Sequence, residues 1–154
     1  MVAIGENVGA FELPINGGGI LSLKSLAGKN VVLYFYPKDN TSGCSKQAAS
    51  FRDHYADFQN LNTEIVGVSR DSVKSHDNFV KKFELPFPLI SDADETLCKM
   101  FDVIKEKSMY GKTYLGIERS TFLVDTKGKL VKEWRKVKVN GHVEAVLEAV
   151  SNLK

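Results

Sequence analysis

The chain has 154 residues, 43% hydrophobic and 26% charged, with 21 basic against 19 acidic side chains and a formal net charge of +2. That length suits one domain spanning residues 1–154, able to bury a core without covalent staples. The even charge balance gives no electrostatic basis for nucleic-acid or membrane binding, no apolar run is long enough to span a bilayer, and the start MVAIGENVGAFEL lacks the basic and apolar regions of a signal peptide.

Taken in chain order, FELPI and ILSL on either side of NGGG predict a β-hairpin whose turn needs positive φ. KSLAGK follows as a short helical turn closed by Gly28. NVVLYFY (30–36) is continuous, β-branched and aromatic, as expected of a strand buried on both faces, and Pro37 ends it for want of an amide hydrogen. From Gly43 the period changes: Phe51, Tyr55 and Phe58 recur at helical spacing, so CSKQAASFRDHYADFQ predicts one helix with Cys44 in its first turn. TEIVGVSR (63–70) is a second buried strand, SVKSHDNFVKKFEL a helix and FPLIS a short strand. DADETLCKMFDV predicts another helix, capped by Asp92 or Asp94. RSTFLVD (119–125) and LVKEWRKV are strands joined by the turn TKGK, and GHVEAVLEAVSNL closes the chain as an amphipathic helix. Strands alternating with helices after a β-rich start predict an α/β fold with a central mixed sheet flanked by helices.

The two cysteines, Cys44 and Cys98, are too few for a disulfide framework or a structural zinc site, and a reducing, cytoplasmic setting is expected. Cys44 lies where a central strand hands over to a helix. Unpaired amides and the positive end of the helix dipole converge there, and both favour a thiolate, the reactive form of cysteine. A buried space-filler is the alternative, but the polar turn KDNTSG before Cys44 is a poor lead-in to a core residue. No second cysteine completes C-x-x-C, which argues against dithiol exchange, and G-x-G-x-x-G, P-loop and H-E-x-x-H motifs are absent. Thr41 is near enough to hydrogen-bond at the sulfur or at a substrate oxygen, and Pro37 could fix the loop.

The string Pro37-x-x-x-Thr41-x-x-Cys44 resembles the active-site motif of the peroxiredoxins. YFYPKDNTSGC together with KSMYGKTYLGIERSTFLVD is similar to their Q-type, or bacterioferritin-comigratory, subgroup, and the likeness covers nearly the whole chain. It implies a thioredoxin-like fold with an N-terminal β-hairpin, and reduction of hydrogen peroxide or organic hydroperoxides without metal, haem or flavin. Cys44 would be the peroxidatic cysteine that becomes a sulfenic acid, Thr41 a hydrogen-bonding partner of the peroxide, and Pro37 a shield for the thiolate. Arg119 would be the catalytic arginine, its fixed charge favouring the thiolate and polarising the peroxide, with the amides of Gly43 and Cys44 as further donors. Thioredoxin or another thiol would be the reductant, and the resemblance implies a monomer or weak dimer.

The chain departs from the subgroup at the second thiol. The position five residues after Cys44, where many members carry a resolving cysteine, is Ala49, and the next helix, HDNFVKKFEL, has none. Ala49 is either native to a one-cysteine enzyme or a replacement for a resolving cysteine. Cys98, among Leu97, Met100 and Phe101, is either a core residue or a resolving cysteine that needs local unwinding to reach Cys44. A one-cysteine route with an external thiol is the expectation. His54, His76 and His142 are dispersed over helix faces and caps, and Asp92, Asp94 and Glu95 start a helix, so no metal site is expected. Trp134 is expected half-buried, and Tyr34 or Phe35 could line the peroxide pocket. Use of Cys44 oxidation as a redox signal, without turnover, is the rival from another functional class.

Overall fold

The computed structural model describes residues 1–153. An N-terminal hairpin pairs β1 (Glu12–Pro14) with β2 (Ile20–Ser22) around a turn in which Gly17 and Gly18 take φ of 83° and 86°. The central sheet follows. β3 (Asn30–Phe35) pairs in parallel with β4 (Thr63–Ser69), and β4 in parallel with β5 (Leu89–Ser91). On the other side of β3 lies β8 (Ser120–Val124), antiparallel to it, and beyond that β9 (Leu130–Trp134). The strand order β5-β4-β3-β8-β9 makes a mixed sheet, as the sequence pattern predicts. Parallel neighbours need crossovers. These are α1 (Ser42–Asp53) and α2 (Tyr55–Asn60) between β3 and β4, and α3 (Val73–Phe83) between β4 and β5.

Alternation along β3 divides the core in two. Val32, Tyr34 and Tyr36 point to a layer that also holds Cys44, Ala48 and Phe51 of α1, Phe58 of α2 and Phe79 of α3. Val143, Val146 and Val150 of the last helix, α5 (His142–Ser151), complete that layer. Val31, Leu33 and Phe35 point the other way, toward Val8, Phe11, Phe101, and Leu97 and Cys98 of α4 (Thr96–Met100). Burying each such aliphatic or aromatic side chain is worth about 1.5–3 kcal/mol, so both layers drive folding. At the sheet's margins, an isolated bridge from Ile15 to Ile90 lays the N-terminal segment along β5, and a register shift at Leu123/Val124 disturbs the β8–β9 ladder.

Three expectations are corrected. The helix predicted over residues 44–59 starts earlier, at Ser42, and breaks at His54, whose Nδ1 lies 3.0 Å from the Ser50 carbonyl that the helix ladder also uses. The helix predicted over DADETLCKMFDV shrinks to Thr96–Met100. Its N-cap is Glu95 rather than Asp92 or Asp94, in the left-handed region at φ 63°, so no helical turn can precede Thr96; Asp92, three residues earlier, still accepts from the amides of Leu97 and Cys98. Residues between that helix and Arg119, left without an element by the sequence pattern, form a hairpin of β6 (Ile104–Met109) and β7 (Lys112–Ile117). It turns on Tyr110 and Gly111, both at positive φ. Among the described residues, no helix is long and apolar enough to cross a membrane.

Candidate active site

β3 ends at Phe35, Tyr36 extends it by one backbone bond to Val68, and Pro37 turns the chain into the loop that leads to α1. Thr41 is the N-cap residue, in extended conformation, but its hydroxyl donates to the Lys38 carbonyl at 2.9 Å rather than to the helix or the sulfur. The first helical bond runs from the Ser45 amide to the Thr41 carbonyl. The amides of Ser42, Gly43 and Cys44 therefore stand outside the ladder at the positive end of the helix dipole. Cys44 lies among them in the first turn, 2% exposed.

Arg119, immediately before β8 on the other flank of β3, reaches this turn on the same face of the sheet. β8 pairs Ser120 with Phe35, so the residue before it arrives beside the exit of β3. Its Nη2 lies 3.2 Å from Cys44 Sγ, and its Nη1 donates to Gln47 Oε1 at 2.6 Å. The guanidinium fork thus spans the sulfur and a buried amide one helical turn further on, a fit that a lysine's single point charge would not make. Gly43 permits the approach: a Cβ there would stand 3.2 Å from Arg119 Nη2.

Tyr34 lies on the Cys44 side of the sheet, stacked on Phe51 at 4.6 Å between centroids, whereas Phe35 lies on the opposite side against Phe101 and Phe122. Gly67 makes room for Tyr34, since a Cβ there would sit 3.0 Å from its hydroxyl and 2.6 Å from Leu89. Burial, and then the nearby Cys44, push the Tyr34 hydroxyl's ionisation well above the usual tyrosine range, so it stays protonated. Its oxygen and Gln47 Nε2 are the buried side-chain polar atoms left without a partner among the described residues.

Cys98 is fully buried in the other layer, across the sheet from Cys44. Burial and the Asp92 carboxylate push its thiol far above the ordinary thiol range. Asp92 accepts from the Leu97 and Cys98 amides of α4, and Glu95 pairs with Arg70 at 2.9 Å. The histidines lie on helices or at their ends, as the sequence suggests, but they are not all dispersed. His76 and His142 are buried, and His76 gathers with Asp39 and Asp71 into one tight cluster. Trp134 is half-buried. Sequence reasoning missed Gln47, whose place one turn after Cys44 in α1 was a signal, and it missed Asp39, hidden in a turn that reads as solvent-exposed.

The mixed sheet behind an N-terminal hairpin finds its counterpart in known proteins. Residues 4–133 match the model of the AhpC/TSA family. Peroxiredoxin Bcp of Xanthomonas campestris is 55% identical over 142 residues, covering 91% of this chain and 89% of that one. The chain belongs to the AhpC/TSA family, as a Q-type peroxiredoxin. A cysteine mutant of Xylella fastidiosa PrxQ superposes on it with a TM-score of 0.94 at 45% identity, covering 98% of this chain and 96% of the other. The bacterioferritin comigratory protein of Xanthomonas campestris, solved as trapped intermediate and ligand complexes bearing on alkyl peroxide reduction, superposes at 0.88 with 53% identity over 92% and 89% of the two chains. The Q-type peroxiredoxin described here has their thioredoxin-like fold and is a thiol-dependent peroxidase. Its reaction needs a peroxide and a thiol reductant.

Proposed function

We propose that Cys44 is the peroxidatic cysteine and that the enzyme works by a one-cysteine route. The observation that carries this is the 3.2 Å contact of Arg119 Nη2 with Cys44 Sγ at the start of α1. The thiolate attacks the terminal oxygen of the hydroperoxide, a sulfur–oxygen bond forms, the oxygen–oxygen bond breaks, and the alcohol or water leaves with a proton. The sulfur is oxidised by two electrons to a sulfenic acid. Charge develops on the departing oxygen, and the fixed guanidinium with the amides of Gly43 and Cys44 is the donor set that stabilises it. Thr41 orients the peroxide through its hydroxyl oxygen, and Pro37 walls the loop. An external thiol then attacks the sulfenic sulfur and releases water. A second thiol displaces the first as a disulfide and restores Cys44.

Hydrogen peroxide and organic hydroperoxides are the substrates, and the alkyl peroxide reduction studied in the Xanthomonas relative supports the wider class. The reductant is thioredoxin or a comparable thiol, the setting cytoplasmic, and the protein a monomer or weak dimer. Cys98 does not resolve the sulfenic acid. Burial in the far layer supports a packing role, since a disulfide needs Cα atoms within about 7 Å and the sheet stands between the two thiols.

The test adds one equivalent of hydrogen peroxide and dimedone to the fully reduced protein and reads the intact mass. A single adduct on Cys44 is expected. Loss of two hydrogens without an adduct would overturn the one-cysteine route, and two surviving thiols would overturn the assignment of Cys44.

A further inference from the structure

The loop carrying Pro37 and Thr41 belongs to neither sheet nor helix, yet a buried polar network grips it from below. Asp39 is 6% exposed. Its Oδ1 accepts from the Tyr36 hydroxyl at 2.6 Å, and its Oδ2 accepts from the Ser75 hydroxyl at 2.8 Å and faces His76 Nδ1 at 2.7 Å. The Asp39 amide donates to Asp71 Oδ2 at 2.8 Å, an oxygen that also accepts from the Ser69 hydroxyl at 2.6 Å. His76, wholly buried in α3, meets the Ile90 carbonyl through Nε2 at 2.9 Å. A carbonyl only accepts, so Nε2 carries a hydrogen, and the Nδ1–Oδ2 contact then shares one further proton. Tyr36 and the start of α3 meet the Asp39 carboxylate directly, the segment after β4 holds the Asp39 amide through Asp71, and β5 joins through His76.

Asp39, Asp71 and His76 stand close enough to suggest a cation site. Their hydrogen bonds answer that suggestion: both Asp39 oxygens and both His76 nitrogens are already engaged within the protein. The cluster is a knot between elements. Its grip continues downstream, where Asn40, at φ 61°, accepts from Lys82 Nζ of α3 at 2.9 Å. Ser42, two residues on, opens α1.

We propose that Asp39 and His76 are positioning residues for the peroxidase reaction. Their buried contact anchors loop 37–41 to α3 and so fixes Thr41 and the Cys44 turn opposite Arg119. The inference rests on Cys44 being the peroxidatic cysteine. Charge-assisted hydrogen bonds in a buried site are short and directional, which suits them to holding a loop. Precision matters here, because a displacement of about 1 Å at a reacting group can cost about a hundredfold in rate.

Two substitutions at one position separate anchoring from mere packing. His76→Asn keeps a donor near the place of Nδ1 and loses the one at Nε2, whereas His76→Gln does the reverse. Both vacate similar space at the same buried site. The second-order rate of Cys44 oxidation by hydrogen peroxide is measured beside the melting temperature and the hydrogen exchange of the Asp39, Asn40 and Thr41 amides. His76→Gln is expected to slow oxidation about tenfold and speed that exchange, with His76→Asn within about threefold of the unmodified protein. Equal rates in the two variants, or rates that simply follow melting temperature, overturn the anchor. If either fails to fold, Tyr36→Phe, which removes one oxygen from the other side of the Asp39 carboxylate, is expected to slow oxidation severalfold, and an unchanged rate overturns the anchor. The unmodified protein separates the role of Cys44 from that of the anchor. If it does not consume peroxide, the assignment of Cys44 falls; if it does and His76→Gln matches it, only the anchor falls.

Discussion

Replacing Arg119 by methionine removes the charge opposite Cys44 while keeping most of the side chain's bulk. The guanidinium nitrogen stands 3.2 Å from the sulfur, a separation worth about 5 kcal/mol for unit charges at an effective dielectric of about 20. Water admitted to the site returns part of that, so the loss compares with removal of one preorganised donor, about 3 kcal/mol or about a hundredfold in rate. The fold loses less. Gln47 Oε1 is left without its 2.6 Å donor, which costs about 1–3 kcal/mol, and no hydrophobic contact of either core layer is removed. Stopped-flow measurement of thiol loss under excess hydrogen peroxide reads the rate, and a urea midpoint reads stability. Arg119→Lys restores the charge but not the fork that spans Gln47 and the sulfur, so it should recover about tenfold of the loss. A folded Arg119→Met protein reacting within about threefold of the parent would refute the electrostatic account of the site.

Two further outcomes follow from the core. Cys98→Ala leaves a small void in the far layer and should cost about 1–2 kcal/mol in urea unfolding, with peroxide consumption unchanged; in the native parent, iodoacetamide should spare Cys98 until the protein unfolds. His142, buried and 2.8 Å from the Thr121 hydroxyl, has its pKa lowered to about 4 by burial and then by Arg119. The unfolded chain therefore takes up a proton here before the native one does. The stability due to the neutral imidazole is intact above about pH 6.5 and falls by up to about 3 kcal/mol as pH drops through about 4. Urea midpoints of the parent and of His142→Gln across that range should diverge, and parallel slopes would show that another group carries the acid sensitivity.

The central strands were legible because NVVLYFY and TEIVGVSR are apolar on both faces, a pattern only a doubly covered sheet explains. The place of Cys44 was legible from the switch in period after Pro37. The β6–β7 hairpin was not, because Tyr110 and Leu115 are exposed and KEKS gives no apolar alternation for a strand pattern to follow. Nor was Asp39. In a turn rich in Lys, Asp and Asn, burial is set by what packs beneath, and α3 lies more than thirty residues further along the chain. The helix expected at DADE failed because Asp92 uses both its oxygens on the amides of Leu97 and Cys98, leaving Glu95 to bend back into the left-handed region as the N-cap. Propensity sees the acidic start of a helix but not the loop those bonds require.

The two margins of the central sheet have a consequence for behaviour at high concentration. A bare outer strand offers free amides and carbonyls to any other chain, and it is the usual template for strand-by-strand aggregation. Here one margin is the three-residue β5, already met by Ile15 through the bridge to Ile90. The other is β9, which carries Lys132 and Glu133 and is thrown out of regular step at Leu123/Val124. Neither margin invites a neighbour to extend the sheet. Strand-by-strand pairing between copies is thereby discouraged along both margins of the central sheet.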